Sequence, residues 1–190
     1  WGGPGKGYDW PESNHGITVD YKGNVWIGGN GRAQAVANES IVSAFRDNQV
    51  LKFTREGKFL MQIGKPSQSK GSNDPDNVKG AAKLLVDKAA NELYVADGGT
   101  HQRVVVFDAA TGAFKRQWRG HGAEFQRVSS IAVSKDGQVY VGDRKGNTVQ
   151  IFKKDGTYVK ARRILPLLNT LIGLPWRIAS VNRNSAMSGR

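Results

Sequence analysis

The groups from which this 190-residue chain could assemble a reactive centre are few: three histidines (His15, His101 and His121), sixteen carboxylates and no cysteine. Without a thiol, a disulfide framework, a thiolate metal site and a cysteine nucleophile are all excluded. His101 falls in a turn ahead of a strand and His121 in a loop between repeats, so both read as surface turn residues. Spacing alone assembles no Ser/His/Asp set. Gly2-Gly3-Pro4-Gly5-Lys6-Gly7 has the glycines and lysine of a phosphate loop. It lacks the four-residue spacer, the hydroxyl residue after lysine and the following helix, and reads as a flexible joint. Asn73-Asp74-Pro75-Asp76-Asn77 offers the oxygens of a calcium loop without its glycine and terminal glutamate at the required offsets. A proline-containing turn is the first reading there and a calcium site the second. Asn38-Glu39-Ser40 is a sequon for N-glycosylation.

Asp97 and Asp143 carry a stronger signal, because they recur 46 residues apart at the same place in a repeated phrase. The clearest copy runs SSIAVS (129–134), KDGQVYVGD (135–143), NTVQIFK (147–153) and KDGTYVKARRI (154–164). Alternation in Val139-Tyr140-Val141 and Val149-Gln150-Ile151 marks strands, and the Asp-Gly and Lys-Gly-Asn steps between them suit tight hairpins. A second copy occupies 82–118. A first, beginning HGITVDYKGNVWIGG, carries an insertion over about 30–47 that reads as a loop. Four short antiparallel strands returning every 40–50 residues are the pattern of a β-propeller blade, a sheet too small to cover its own faces.

The predicted fold is therefore an all-β propeller. Three four-stranded antiparallel blades are expected over 1–64, 65–120 and 121–164, with fragments of two others and a divergent basic tail over 165–190. Their place at the end of a second strand predicts that Asp97 and Asp143 hold the loops that follow. Those loops lead to the third strands, on a face that propellers use for ligands. Asp97, Gly98, Arg103, Asp143 and Arg144 are accordingly candidate ligand-binding residues.

Composition is that of one globular domain tilted toward turns, with 38% hydrophobic residues, 23% charged and 24 glycines. The chain is long enough to bury roughly 70% of its unfolded surface. Its most apolar stretch, ILPLLNTLIGLPW at 164–176, has 13 residues and two prolines. A membrane span needs about 20 residues, so none is predicted. The net charge of +12 is uneven: residues 121–190 hold twelve basic and four acidic residues, and no acidic residue follows Asp155. Such an end attracts nucleic acid, anionic lipid or another polyanion, although a solvated basic face is the plainer reading.

The inner-strand phrase HGITVD, the second strands GNVWIGG and ELYVADG and the third strand RVVVFD closely resemble NHL repeats, the blades of six-bladed propellers. The resemblance covers about 1–164 and extends to the joints between blades. Trp1-Gly2-Gly3 through Pro11, Asn14 and Gly16-Ile17 is similar to Trp118-Arg119-Gly120 through Phe125 and Ser130-Ile131. On that match Trp1 closes the outer strand of an earlier blade. LPWRIAS (174–180) resembles the start of a fourth inner strand, after which VNRNSAMSGR departs from the pattern, as truncation, fusion or an altered frame would produce. Three blades of a six-bladed ring leave two open blade edges, so self-association to close the ring, or a partner, is expected. The resemblance also implies a secreted or periplasmic setting.

Over most of 14–163 the chain is similar to the peptidyl-hydroxyglycine amidating lyases among these propellers. That similarity implies zinc held by three histidines at inner-strand entrances, with a tyrosine and an arginine beside the metal. His15, just before Gly16-Ile17, stands where the first ligand is implied. Ser129 stands at the second and Gly99 at the tyrosine, while the third ligand and the arginine are implied in further blades. His15 thus has a structural reading and a ligand- or metal-contacting one, and zinc or calcium are the cofactors in view. Three functions are carried forward. The first is a scaffold presenting loops around a channel to a protein or peptide; the others are a metal-dependent lyase or hydrolase, and an RNA- or polyanion-binding propeller.

Overall fold

The computed structural model describes residues 1–31 and 46–164. Among the described residues every regular element is a strand and none is a helix. Twelve strands form three four-stranded antiparallel sheets, each in simple sequential order. The first contains β1 (Asn14–Val19), β2 (Val25–Gly29), β3 (Val50–Phe53) and β4 (Phe59–Ile63). The second contains β5 (Ala81–Asp87), β6 (Glu92–Asp97), β7 (Arg103–Asp108) and β8 (Phe114–Trp118). The third contains β9 (Val128–Val133), β10 (Gln138–Asp143), β11 (Thr148–Lys153) and β12 (Tyr158–Arg163). These are propeller blades, and their inner strands β1, β5 and β9 run side by side.

The middle blade is covered on both faces, which is why Leu93-Tyr94-Val95-Ala96 and Val104-Val105-Val106-Phe107 read as unbroken apolar runs. One face puts Leu93, Val95, Val105 and Phe107 against Trp26, Val50 and Ile63 of the first blade. The other puts Tyr94, Ala96, Val104 and Val106 against Val139, Val141 and Phe152 of the third. Each such side chain contributes roughly 1.5–3 kcal/mol on burial, so stacking of blades is the main source of stability. The outer strand β12 is instead largely exposed and reads Lys160-Ala161-Arg162-Arg163, a charged edge that discourages pairing with another sheet.

Trp1 shows both a correspondence and a departure from the sequence reading. Its ring packs on Phe53 at 5.3 Å, as Trp118 at the end of β8 packs on Phe152 at 5.8 Å. Residues 2–10, expected as a joint, form no strand, only an isolated bridge between Gly5 and Tyr8. The Trp1 indole donates to the Arg55 carbonyl at 2.9 Å, and the Tyr8 ring lies 5.0 Å from both Phe53 and Phe59. The glycine-rich stretch is thus pinned over Ile27, Leu51 and Phe53 rather than being a free joint. Tyr8→Ala is expected to lower stability by about 2 kcal/mol in urea unfolding. A loss below about 0.5 kcal/mol would show that the aromatic cap contributes nothing.

The insertion leaves β2 and returns through neighbouring positions, Arg46 N donating to Gly31 O at 3.0 Å. Its interior, with the Asn38-Glu39-Ser40 sequon, lies outside the described residues, as do the fourth inner-strand start and basic tail expected in 165–190.

Candidate functional site

The chain reaches each inner strand through a joint whose amides are gathered by one carboxylate. Asp143 accepts from Gln126 N and Arg127 N at 2.9 and 2.8 Å, and from Gly146 N at 3.1 Å. Asp97 accepts from Lys79 N at 2.6 Å, His101 Nδ1 at 2.8 Å and Arg103 Nε at 2.9 Å. In the first blade the equivalent position is Gly29, and the carboxylate arrives from Asp47, beyond the insertion. It accepts from Glu12 N, Ser13 N and Gly31 N at 2.9, 3.1 and 2.6 Å. A Cβ on Gly29 would collide with that carboxylate, so the glycine and Asp47 go together. These aspartates therefore hold the joint before the inner strand as well as the loop after β6 or β10.

Arg103 belongs to the same clamp. It is fully buried, and its guanidinium also donates to the carbonyls of Ser72, Asp74 and Asn77 at 3.1, 2.8 and 2.6 Å and to Gln117. Asp74, in the loop weighed for calcium, directs its carboxylate to the amides of Lys70, Asp76 and Asn77. Burial pushes its pKa up, but the hydrogen bonds from Lys70, Asp76 and Asn77 outweigh burial and hold it below the usual value. The oxygens of a calcium loop are thereby turned inward to shape a proline-containing turn.

His101 is not at the surface. It is buried, with Nε2 at 2.7 Å from Ser69 Oγ and Nδ1 on Asp97, so Ser69, His101 and Asp97 stand in relay order. Two features make this a clamp rather than a nucleophilic centre. Asp97 Oδ2 is shared with the buried Arg103, and the next amides after Ser69 are directed elsewhere, Lys70 N to Asp74 and Gly71 N to Ser69 Oγ itself. An oxyanion needs such amides aimed at it.

Above the clamps, at the mouth between the inner strands, lies a cleft of about 240 Å³. His15, Ser129, Gly98 and Arg144 from the sequence-based set meet there, joined by Asn30 and Arg127. Asp97, Asp143 and Arg103 do not line it; they lie beneath as supports. Gly98 and Gly99 form part of its wall because no side chain fits: a Cβ on either would overlap the carbonyl of Val128 or Lys79. His15 directs Nδ1 to the Ala81 carbonyl at 3.3 Å, and Ser129 Oγ donates to Gly142 O at 3.4 Å.

Comparison with known proteins agrees with the blade geometry. The NHL repeat family matches residues 125–152, which span β9, β10 and most of β11. Residues 125–152 thus match an NHL repeat, and they lie in the third of the three propeller blades. Human NHL repeat-containing protein 3 is 26% identical over 145 residues, covering 73% of this chain and 41% of the relative. Peptidyl-glycine alpha-amidating monooxygenase B of Xenopus laevis is 26% identical over 156 residues, covering 77% of this chain and 16% of the relative. The chain thus spans less than half the length of these curated relatives. Among solved structures, a chain of a nidogen/laminin complex superposes with a TM-score of 0.55 at 17% identity, covering 80% of this chain and 47% of that one. Virginiamycin B lyase from Staphylococcus aureus gives 0.54 at 17% identity, covering 81% and 42%. These two share the propeller fold.

Within the three blades described, the residues do not fit the zinc site implied by the lyase resemblance. No group of three or more His, Asp or Glu side chains converges to hold a metal among the described residues. Ser129 occupies the second ligand position, and a tyrosine at Gly99 would run into the Lys79 carbonyl.

Proposed function

We propose that the chain is a binding module that presents the cleft at the mouth of its inner strands to a peptide or protein segment. One observation carries this reading. The mouth sets His15 and Asn30 of the first blade and Arg127, Ser129 and Arg144 of the third around a glycine wall from the second, and Arg127 and Arg144 make no side-chain hydrogen bond or ion pair there among the described residues. Arg103, by contrast, is wholly engaged in the fold, so the two classes of arginine differ in what they are left to contact. Filling the cleft tests it. Ser129→Trp is expected to weaken capture of peptides selected on the native chain by at least about tenfold, a change of about 1.4 kcal/mol, while thermal unfolding stays near native. Unchanged capture by a folded S129W chain would reject the cleft as the binding face.

A polyanion reading has its own support in Lys153, Lys160, Arg162 and Arg163, which form no ion pair among the described residues. Binding of polyuridylate that falls steeply between 50 and 200 mM salt, on the order of a thousandfold, would favour it.

A further inference from the structure

Resting on the binding-module reading, we infer that the cleft is an anion-receiving subsite, and that it takes the carboxylate side chain of an acidic peptide between Arg127 and Arg144. The arginines are brought together by the backbone: Arg144 N donates to Arg127 O at 2.9 Å, which joins the loop after β10 to the joint before β9. Two like charges are thereby fixed on one rim, and among the described residues no aspartate or glutamate lines the cleft. Asp143, the residue before Arg144, is buried at 3% exposure and turned to the amides of Gln126, Arg127 and Gly146. It offsets charge from below without forming an ion pair to either guanidinium. His15 adds an imidazole on the opposite rim. Because its Nδ1 faces the Ala81 carbonyl and must donate there, neutral His15 leaves Nε2 as an acceptor, suited to an N–H of the peptide backbone while the arginines take the carboxylate.

Size and lining select among anions. Small-molecule sites are usually about 300–1,000 Å³. At about 240 Å³ this cleft suits one acidic side chain rather than a nucleotide. Binding of single-stranded nucleic acid relies on aromatic platforms for the bases, and among the described residues no aromatic side chain lines this cleft. A carboxylate on a peptide meets both conditions, and guanidinium groups recognise it through paired, charge-assisted hydrogen bonds.

The experiment uses the whole chain and a blocked hexapeptide with two central aspartates, beside its diasparagine counterpart, in calorimetric titration. The diaspartate peptide is expected to bind at least about tenfold more tightly, and Arg127→Gln or Arg144→Gln to remove about tenfold each, as loss of a charged hydrogen bond does. Thermal unfolding should be unchanged in both variants, since neither side chain supports the fold. Equal binding of the two peptides, or native affinity in R127Q and R144Q, overturns the anion inference while leaving the binding-module reading intact. If neither peptide binds, amide shifts under sulfate decide. Shifts at the cleft that vanish in R127Q and R144Q keep the anion subsite and reject the peptide reading, and no shifts overturn the subsite. Polyuridylate binding through these same two arginines in preference to the peptide also overturns it.

Discussion

Asp97→Ala is expected to cost about 3–5 kcal/mol in urea unfolding, a large share of the roughly 5–15 kcal/mol available to a domain. The reason is what remains behind. Arg103 is fully buried and would keep its charge with only carbonyl and amide oxygens around it, while His101 and Lys79 N would lose their acceptor. Asp143→Ala provides the control. Its carboxylate gathers three amides and no buried cation, so its loss should cost about 1–3 kcal/mol. Equal losses in the two variants would show that the buried Arg103–Asp97 pair contributes nothing beyond the amide contacts.

That contrast also shows what a sequence conveys and what it does not. Strands were legible because side chains alternate or run apolar according to which faces are covered. Val139-Tyr140-Val141 predicts β10, and the Asp97–Asp143 interval predicts the blade period. The mouth was partly legible too, since His15, Gly98, Ser129 and Arg144 lie at equivalent ends of their strands and meet in one cleft. Arg127 escaped because a joint residue has no periodicity to mark it. Asp47 escaped because the insertion carries the carboxylate from the end of β2 to the start of β3, leaving a glycine in the expected place. His101 was misplaced at the surface for a related reason: its burial depends on Ser69, which belongs to the joint from the preceding blade. Composition near His101 contains no trace of that contact.

The inward aspartates also explain how the cleft keeps its shape. The same carboxylate that anchors the joint before an inner strand anchors the loop after the second strand, so two walls of the mouth share one support. Arg127 N and Gly146 N both rest on Asp143 Oδ1, which fixes the backbone on either side of Arg144. Binding residues on loops gain precision when held this way, because fewer conformations are lost when a ligand arrives.

Between about pH 5 and pH 2 the chain is expected to lose stability through Glu92. Its carboxylate is buried and receives both Arg116 nitrogens at 2.8 and 2.6 Å, Lys115 Nζ at 2.6 Å and the Tyr94 hydroxyl at 3.0 Å. The Arg116 hydrogen bonds lead in pulling its pKa from 4.5 down to about 2, against the opposing effect of burial. A carboxyl depressed in the folded state binds fewer protons there than in the unfolded chain. Its contribution is therefore complete above pH 4.5 and disappears as the pH falls through about 2. The shift corresponds to about 3 kcal/mol, or about 2 kcal/mol after allowing for the partial exposure of Arg116 and Lys115. Other carboxylates titrate in the same range, so the informative quantity is the gap between the native chain and Glu92→Gln. At pH 6 the variant should be less stable by about 2–3 kcal/mol, and by pH 2 the gap should have narrowed to about half or less, because the carboxyl is then protonated in the unfolded chain and about half protonated in the folded one. A gap that stays constant from pH 6 to pH 2 would mean that Glu92 acts through shape and packing, and that its charge does not hold Arg116 and Tyr94 in place.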